Sequence, residues 1–237
     1  AAPAGRVRGT DRARLAAATP VMVVAGAGLT LFVALSLALI ARHRSFHSAA
    51  FDLAFFDQII WNTSGGRWFE TSFVSYNFLG QHFEPILLVF AAVYRIVPSV
   101  EALLVIQAAA LGFAVVPLYL AGTRLFASRA AAAGLAASFV LLPWVHGAAL
   151  FDFHPEVLAP PLLFASLALA VRRRTGLSVV TLASVLLIKE DLAFAVLGFA
   201  AVYWHLGDRR LAIKTGAGAI AYLVVVLALM ALIRGEA

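Results

Sequence analysis

Long uninterrupted apolar runs are the feature of this sequence that most constrains its fold. Two examples are residues 20–41 and 100–121, each close to the ~20 residues that a helix needs to cross a bilayer. The hydrocarbon core offers the backbone no hydrogen-bond partner, so only helices or closed barrels cross it, and barrel strands are shorter and alternating. The chain is also 63% hydrophobic and 13% charged. The sequence therefore predicts an all-α, polytopic integral membrane protein.

Seven apolar segments are the predicted transmembrane helices. The first is interpreted as a retained helix and not as a signal peptide, because it is long and no small-residue cleavage site follows it. Another apolar segment, 85–97, is too short to span and is typical of an interfacial helix. The seven predicted spans are 20–41, 101–122, 130–149, 156–171, 176–188, 192–206 and 215–233.

The basic residues predict the orientation of these spans. They cluster at the ends of apolar runs, as membrane topology requires, so the net charge of +6 does not indicate nucleic-acid binding. A cytoplasmic N-terminus and a non-spanning 85–97 segment place twelve of the 18 Lys and Arg residues inside, where such residues are enriched. These twelve are Arg6, Arg8, Arg12, Arg14, Arg124, Arg129, Arg172, Arg173, Arg174, Arg209, Arg210 and Lys214.

The predicted topology is one transmembrane domain over 1–237, with a cytoplasmic segment 1–19 and a long extracytoplasmic loop 42–99. The chain begins without Met and stops after an apolar run, so we expect it to be the N-terminal part of a longer protein. The loop is rich in aromatic residues, which favour the membrane interface. Two surface helices are therefore predicted at 52–62 and 85–97, with a turn at Ser64, Gly65 and Gly66 between them.

Three extracytoplasmic stretches carry most of the polar side chains. Ionisable groups at membrane depth are costly, so they are functional candidates that face a cavity. Structural roles are the alternatives: a hydrogen bond for Asp57, a helix cap for Asp52, and a cluster capping a helical hairpin around Lys189. The stretches comprise Asp52, Asp57, His82 and Glu84 in the first loop, Asp152, His154 and Glu156 in the second, and Lys189, Glu190 and Asp191 in the third.

The alternating acids and histidine of the second stretch allow two interpretations. Pro155 disfavours helical geometry at His154, so an extended segment leading into a helix at Glu156 is expected, with Asp152 and His154 on one side. With His82 and Glu84, these side chains could bind a divalent metal. A hydrogen-bonded polar plug is the alternative, since no specific metal-binding spacing occurs and the chain has no cysteine.

Four motifs resemble, in the same order, a family of prokaryotic polytopic membrane proteins known as a domain of unknown function. They are FDLAFFDQIIWN, GQHFEPILL, LFDFHPE and IKED, and the resemblance covers about Arg42 to Gly207. That family is similar to the GT-C superfamily of membrane glycosyltransferases. The resemblance implies a seven-helix module, an essential acid in the long first loop, and transfer of a sugar from a polyprenyl-phosphate donor to an extracytoplasmic acceptor.

The same resemblance implies roles for the polar residues. Asp52 is the expected general base and Asp57 the second catalytic candidate, although neither belongs to a paired DxD motif. Cations are needed at the departing phosphate, and Lys189 is the main candidate, followed by Arg42, Arg44 and Arg95. The expected substrate-binding residues are His82, Glu84, Asp152, His154, Glu156, Lys189, Glu190 and Asp191.

Two other functions remain open at this point. One is a degenerate transferase that acts as a non-enzymatic subunit or lipid-binding protein, and the other is a transporter. The expected partners are membrane lipids, the polyprenyl-phosphate sugar donor and other membrane proteins. The expected location is the plasma membrane of a prokaryote.

Overall fold

The computed structural model describes residues 5–235, with side chains for 19–49 and 51–235. Residues 1–4 of the predicted cytoplasmic segment, Glu236 and Ala237 lie outside this range, as do the side chains of the four N-terminal arginines. No strand occurs within 5–235. The helices are α1 (Gly5–Arg44), α2 (Phe55–Ser64), α3 (Leu87–Tyr94), α4 (Val100–Phe113), α5 (Val115–Leu125), α6 (Arg129–Val140), α7 (Pro143–Leu150), α8 (Ala159–Val171), α9 (Thr175–Val185), α10 (Ala193–His205) and α11 (Arg209–Arg234).

Each predicted span is mostly helical, but the helices differ in length. The span 130–149 is interrupted at Leu141 and Leu142, and the span 176–188 ends in a turn at 186–188. Four continuous or nearly continuous stretches are long and apolar enough to cross a membrane: Thr19–Arg44, Val100–Leu125, Arg129–Leu150 and Arg209–Arg234. Helices α8, α9 and α10 are shorter, and the 13 residues of α10 reach only ~20 Å. The structure is therefore that of a helical protein with several helices able to cross a membrane, while the count of seven spans stays a prediction.

The segment 85–97 forms a short helix, as its length indicated. Helix α3 has 8 residues and reaches only ~12 Å, well below the ~30 Å of the hydrocarbon core. It packs against α2, which ends at Ser64 and is followed by Gly66 at φ 90°. Positive φ is accessible to glycine without steric cost, so the expected turn forms here.

Small residues bring the long helices into contact. Helix α1 packs along α4, α5 and α6. A side chain at Gly28 of α1 would come within 2.7 Å of the carbonyl oxygen of Gly112 in α4. The two backbones approach this closely because neither residue has a Cβ, which is a common way for helices to pack in lipid.

The long first loop folds back onto the bundle through its aromatic rings. Phe55, Phe56 and Phe78 are buried and meet edge to face, with Phe56 and Phe78 at 6.1 Å between ring centroids. Phe56 also contacts Phe153 at 5.7 Å. Phe153 lies in the second polar stretch, so this aromatic packing brings the first loop to the segment that carries His154.

Candidate functional site

Asp52 and His154 meet although 102 residues separate them in the sequence. The imidazole Nε2 of His154 lies 3.7 Å from Oδ1 of Asp52, and the two side chains are 24% and 28% exposed. Asp52 belongs to a π-helical turn, Ala50–Ala54, that leads into α2. The rings of Phe56 and Phe151 lie 5.8 and 5.3 Å from that of His154. The pair is thus held by aromatic packing and is still accessible.

Asp152 links the second polar stretch to α1 and to the segment that follows it. Its carboxylate is 2% exposed, accepts the backbone N–H of Ala49 at 2.6 Å, and lies 3.7 Å from Nε of Arg42. The φ of Asp152 is 88°, a conformation that Asp tolerates better than most residues. This turn breaks the expected alternation, so the carboxylate of Asp152 points towards α1 instead of lying beside the imidazole of His154.

The segment after Asp152 follows the expected path. His154 is extended, with φ −139° and ψ 127°, and a short 3-10 helix, Pro155–Leu158, begins at the proline. Glu156 lies in the first turn of this helix, which continues into α8. The proline therefore ends the extended segment and starts the helix that carries Glu156.

Gln107 in α4 was missed by the sequence analysis. It is fully buried, and its amide nitrogen donates to the carbonyl oxygens of Ala149 and Asp152, both at 2.8 Å. Its amide oxygen accepts the N–H of His154 at 3.0 Å. A buried amide inside an apolar helix was the available signal, because such a group requires partners. Gln107 positions the loop that presents His154.

Replacing Gln107 with methionine is expected to destabilise the protein by about 3 kcal/mol. Methionine keeps the length of the side chain but leaves two carbonyl groups and one N–H buried without partners, each at a cost of ~1–3 kcal/mol. Denaturation in detergent measures the loss. Gln58→Met is the matched control, since Gln58 bonds to Ser72 in an exposed part of the first loop. Equal losses in the two variants would contradict this role of Gln107.

Lys189 and Glu156 form a close ion pair. The ammonium Nζ lies 2.5 Å from Oε1 of Glu156, with side chains 17% and 29% exposed. Burial lowers the pKa of Lys189, but the bond to Glu156 and the charges of Glu84 and Asp191 outweigh it, so the pKa is raised. Lys189 therefore stays charged, and its charge is already neutralised by Glu156.

His82 and Glu190 connect the first loop to the third polar stretch. The carboxylate of Glu190 contacts Nδ1 of His82 at 2.9 Å and accepts the N–H of Phe83 at 2.8 Å. The N–H of Ile86 donates to the carbonyl oxygen of Leu187 at 2.8 Å. Burial raises the pKa of Glu190, but the bonds from His82 and Phe83 outweigh it and lower the pKa. Glu190 is thus ionised, and its bonds hold the first loop against the third polar stretch.

Asp57 has a different partner from the pair of Asp52 and His154. The carboxylate of Asp57 accepts the hydroxyl of Tyr94 at 2.6 Å, which joins α2 to α3. This is the structural alternative that the sequence left open for Asp57. Asp191 is exposed beside Glu190 at the start of the last pair of helices. The structure therefore groups Asp52 with His154, Glu156 with Lys189, and His82 with Glu190.

An apolar cavity of about 610 Å³ lies against two of these residues. His154 and Glu156 supply the polar part of its wall, and the remainder is aliphatic or aromatic. Trp144 and Phe151 on its rim are 84% and 62% exposed. The lining consists of Leu111, Phe139, Leu142, Trp144, Val145, Gly147, Ala148, Phe151, His154, Glu156, Val157 and Pro160. The cavity is suited to an apolar ligand with one polar end.

The candidate metal site does not assemble. Within 19–49 and 51–235, no three His, Asp or Glu side chains converge in a way that would hold a metal ion. His82 is bound to Glu190, whereas His154 faces Asp52, so the two histidines serve different clusters. The described side chains therefore do not form the divalent-metal site that the residue types had left open.

An all-helical chain with several apolar helices long enough to cross a bilayer defines a multi-pass helical membrane protein. Residues 42–233 match the family described as "Predicted membrane protein (DUF2079)", and the chain belongs to that family. Comparison with curated proteins and with solved structures gave no match. The family match begins at Arg42 and includes every residue of the groups described above.

Proposed function

We propose that this protein is a membrane glycosyltransferase that moves a sugar from a polyprenyl-phosphate donor to an acceptor outside the cytoplasm. The observation that carries the proposal is the pair of Asp52 and His154 beside an otherwise apolar cavity. A carboxylate and an imidazole at the polar end of an apolar space suit a substrate that is itself amphiphilic. In this proposal the N-terminus is cytoplasmic and the membrane is the prokaryotic plasma membrane.

The size and the lining of the cavity suit a lipid ligand. About 610 Å³ lies within the ~300–1,000 Å³ typical of small-molecule sites. Its exposed rim residues, Trp144 and Phe151, would lie against lipid tails if the surrounding helices cross the bilayer. A polyprenyl chain can then occupy the apolar part of the cavity while its phosphate stays near His154.

Asp52 supplies the base in the proposed reaction. Its carboxylate takes the proton of the acceptor hydroxyl, and the acceptor oxygen attacks the anomeric carbon of the donor sugar. The bond between that carbon and the phosphate oxygen breaks, and the lipid phosphate leaves with the electron pair. His154 lines the cavity, and its Nε2 lies 3.7 Å from Oδ1 of Asp52.

Arg42 is a better candidate for the phosphate than Lys189. Lys189 is held by Glu156 at 2.5 Å. The side chain of Arg42 is 39% exposed, and its Nε lies 3.7 Å from Asp152, two residues before His154. Of the other candidates, Arg44 bonds to Glu101 at 3.0 Å, and Arg95 donates to the carbonyl oxygen of Ser64 at 3.0 Å. Arg42 therefore has the donors and the position to meet a phosphate near His154.

A lipid-binding protein without catalysis is the second candidate. It is favoured by the pairing of both Lys189 and Arg42 with carboxylates, which weakens the attraction of either cation for a phosphate. Such a protein would bind the same amphiphilic ligand in the same cavity. The difference between the two candidates is whether the bound sugar is released.

The decisive experiment follows sugar release from labelled polyprenyl-phosphate sugars by the purified protein. Ala148 lines the cavity and is exposed, so Ala148→Trp should fill the cavity and lower transfer roughly tenfold or more, equivalent to ~1.4 kcal/mol. Ala217→Trp on the exposed face of α11 is the matched control and should leave transfer unchanged.

Two outcomes of this experiment contradict the proposal. Saturable donor binding that Ala148→Trp removes, without sugar release from any polyprenyl-phosphate sugar tested, would establish the second candidate instead. Sugar release that Ala148→Trp and Ala217→Trp leave equally intact would show that the cavity does not hold the donor.

A further inference from the structure

Glu84 is the least expected charged residue in the described part of the chain. Its side chain is fully buried, and neither of its carboxylate oxygens has a hydrogen-bond donor among the described residues. Glutamate is almost never fully buried unless it is paired. An ionised carboxylate left in this state is strongly disfavoured, so the charge of Glu84 must be removed or balanced.

The neighbours of Glu84 do not balance its charge. It interacts electrostatically with Glu156, Lys189, Glu190 and Asp191, of which three are acids. The ammonium of Lys189 is bonded to Glu156, and Glu190 is bonded to His82 and the N–H of Phe83. The hydroxyl of Tyr222, which interacts with Glu190, donates to the carbonyl oxygen of Leu186. Among these described groups, no cation is left for Glu84.

One of the two carboxylate oxygens of Glu156 also lacks a hydrogen-bond donor. Its Oε1 accepts from Lys189, but its Oε2 is buried without a donor among the described residues. Three carboxyl oxygens in one cluster thus lack donors. A protonated carboxyl is itself a donor, so one added proton supplies a donor for one of these oxygens and removes one negative charge.

The electrostatics of the cluster favour that proton. Burial raises the pKa of Glu84 well above its usual value, the charge of Glu156 raises it further, and Lys189 opposes the shift without cancelling it. Two carboxylates that compete for one cation behave in this way, because the second negative charge is disfavoured by the first.

We propose that Glu84 and Glu156 share one proton and form a proton-transfer site in the wall of the apolar cavity. In the transfer, the O–H bond of Glu84 breaks and the proton moves to the carboxylate of Glu156, which leaves Glu84 as the carboxylate near Lys189. Glu156 lines the cavity and can pass the proton to an anionic oxygen of a ligand bound there. This site does not depend on sugar transfer and would serve any anionic ligand of the cavity.

Infrared spectroscopy of the purified protein in detergent tests the proposal, because it distinguishes a protonated carboxyl from a carboxylate. The wild type should show a buried protonated carboxyl at neutral pH, and Glu84→Gln should lose the band of one such group. Glu101→Gln is the matched control and should not change this band. Glu101 forms an ion pair with Arg44 and accepts the hydroxyl of Ser99, so it is a paired carboxylate away from the buried cluster.

Two further variants test whether the proton is shared. Glu156→Gln should move the titration of the band to lower pH, because it removes a negative neighbour and frees Lys189. Lys189→Gln should move it to higher pH. Absence of the band in the wild type at neutral pH would overturn the proposal, as would an unchanged titration in Glu156→Gln. The latter result would mean that burial alone holds the proton on Glu84.

The pH dependence of stability provides an independent measurement on folded protein. Because the pKa of Glu84 is raised in the folded state, its contribution to stability is present at low pH and is lost as the pH rises through that pKa. The wild type should therefore lose stability at high pH relative to Glu84→Gln, whose amide does not titrate. A difference that stays constant with pH would contradict a bound proton at Glu84.

Discussion

Replacing Asp52 with asparagine is expected to lower sugar transfer by ~10²–10⁴-fold, the usual contribution of a general base. Asparagine keeps the shape of the side chain and an acceptor for His154, but it cannot take a proton from the acceptor hydroxyl. Donor binding should change little, because Asp52 is not among the residues that line the apolar cavity. Single-turnover transfer and equilibrium binding of a labelled donor separate the two effects.

Two substitutions serve as references for this prediction. Glu101→Gln removes an acid from the same end of the bundle, and it should leave transfer unchanged because Glu101 bonds to Ser99 and Arg44. Asp57→Asn tests the second catalytic candidate and should cost less than Asp52→Asn, since Asp57 is bonded to Tyr94. Full transfer by Asp52→Asn would rule out Asp52 as the base. A larger loss in Asp57→Asn than in Asp52→Asn would move that role to Asp57.

Replacing Lys189 with alanine is expected to destabilise the protein by about 3 kcal/mol. Removal of one partner from a buried ion pair costs ~3–5 kcal/mol, and the partial exposure of Lys189 and Glu156 places this pair at the lower end. Most of the loss arises because Glu156 is left as an unpaired carboxylate. Denaturation in detergent at neutral pH measures it.

The double variant and the pH dependence show whether this explanation is correct. Lys189→Ala combined with Glu156→Gln should recover much of the lost stability, because no unpaired carboxylate then remains at position 156. Lys189→Arg should recover only part, since a planar guanidinium does not replace an ammonium in a tight pocket. Lys189→Ala alone should gain stability as the pH falls and the carboxyls become protonated. If the losses in the two single variants simply add in the double variant, the ion pair is not the cause.

The combined results separate the proposed enzyme from the proposed proton site. Loss of transfer in Asp52→Asn with a normal carboxyl band would support the transferase and leave the pair of Glu84 and Glu156 intact. A normal rate in Glu84→Gln would show that the shared proton is not used in sugar transfer. Absence of the band would remove the proton site without affecting the role of Asp52.

The sequence alone predicted a helical membrane protein, because this class depends on runs of neighbouring apolar residues. A run of about 20 apolar residues must satisfy its own backbone in lipid, and a helix does so locally. The same reasoning correctly predicted that α3 is a short helix, since the length of an apolar segment sets the distance that its helix can cover. Pro155 likewise located the start of a helix through its effect on the residue before it. The link to glycosyltransferases stays a prediction.

The sequence did not predict which groups the polar side chains contact, because each contact joins positions far apart in the chain. Asp152 was expected beside His154, but its positive φ turns the carboxylate to Ala49 and Arg42. Gln107 carries no motif, and its three bonds exist only because α4 packs against the 149–154 segment. Local physics therefore predicted which segments are helical and which polar groups are costly to bury. The packing of distant segments established which group compensates each of them, since an ion pair or a hydrogen bond requires contact within a few ångströms.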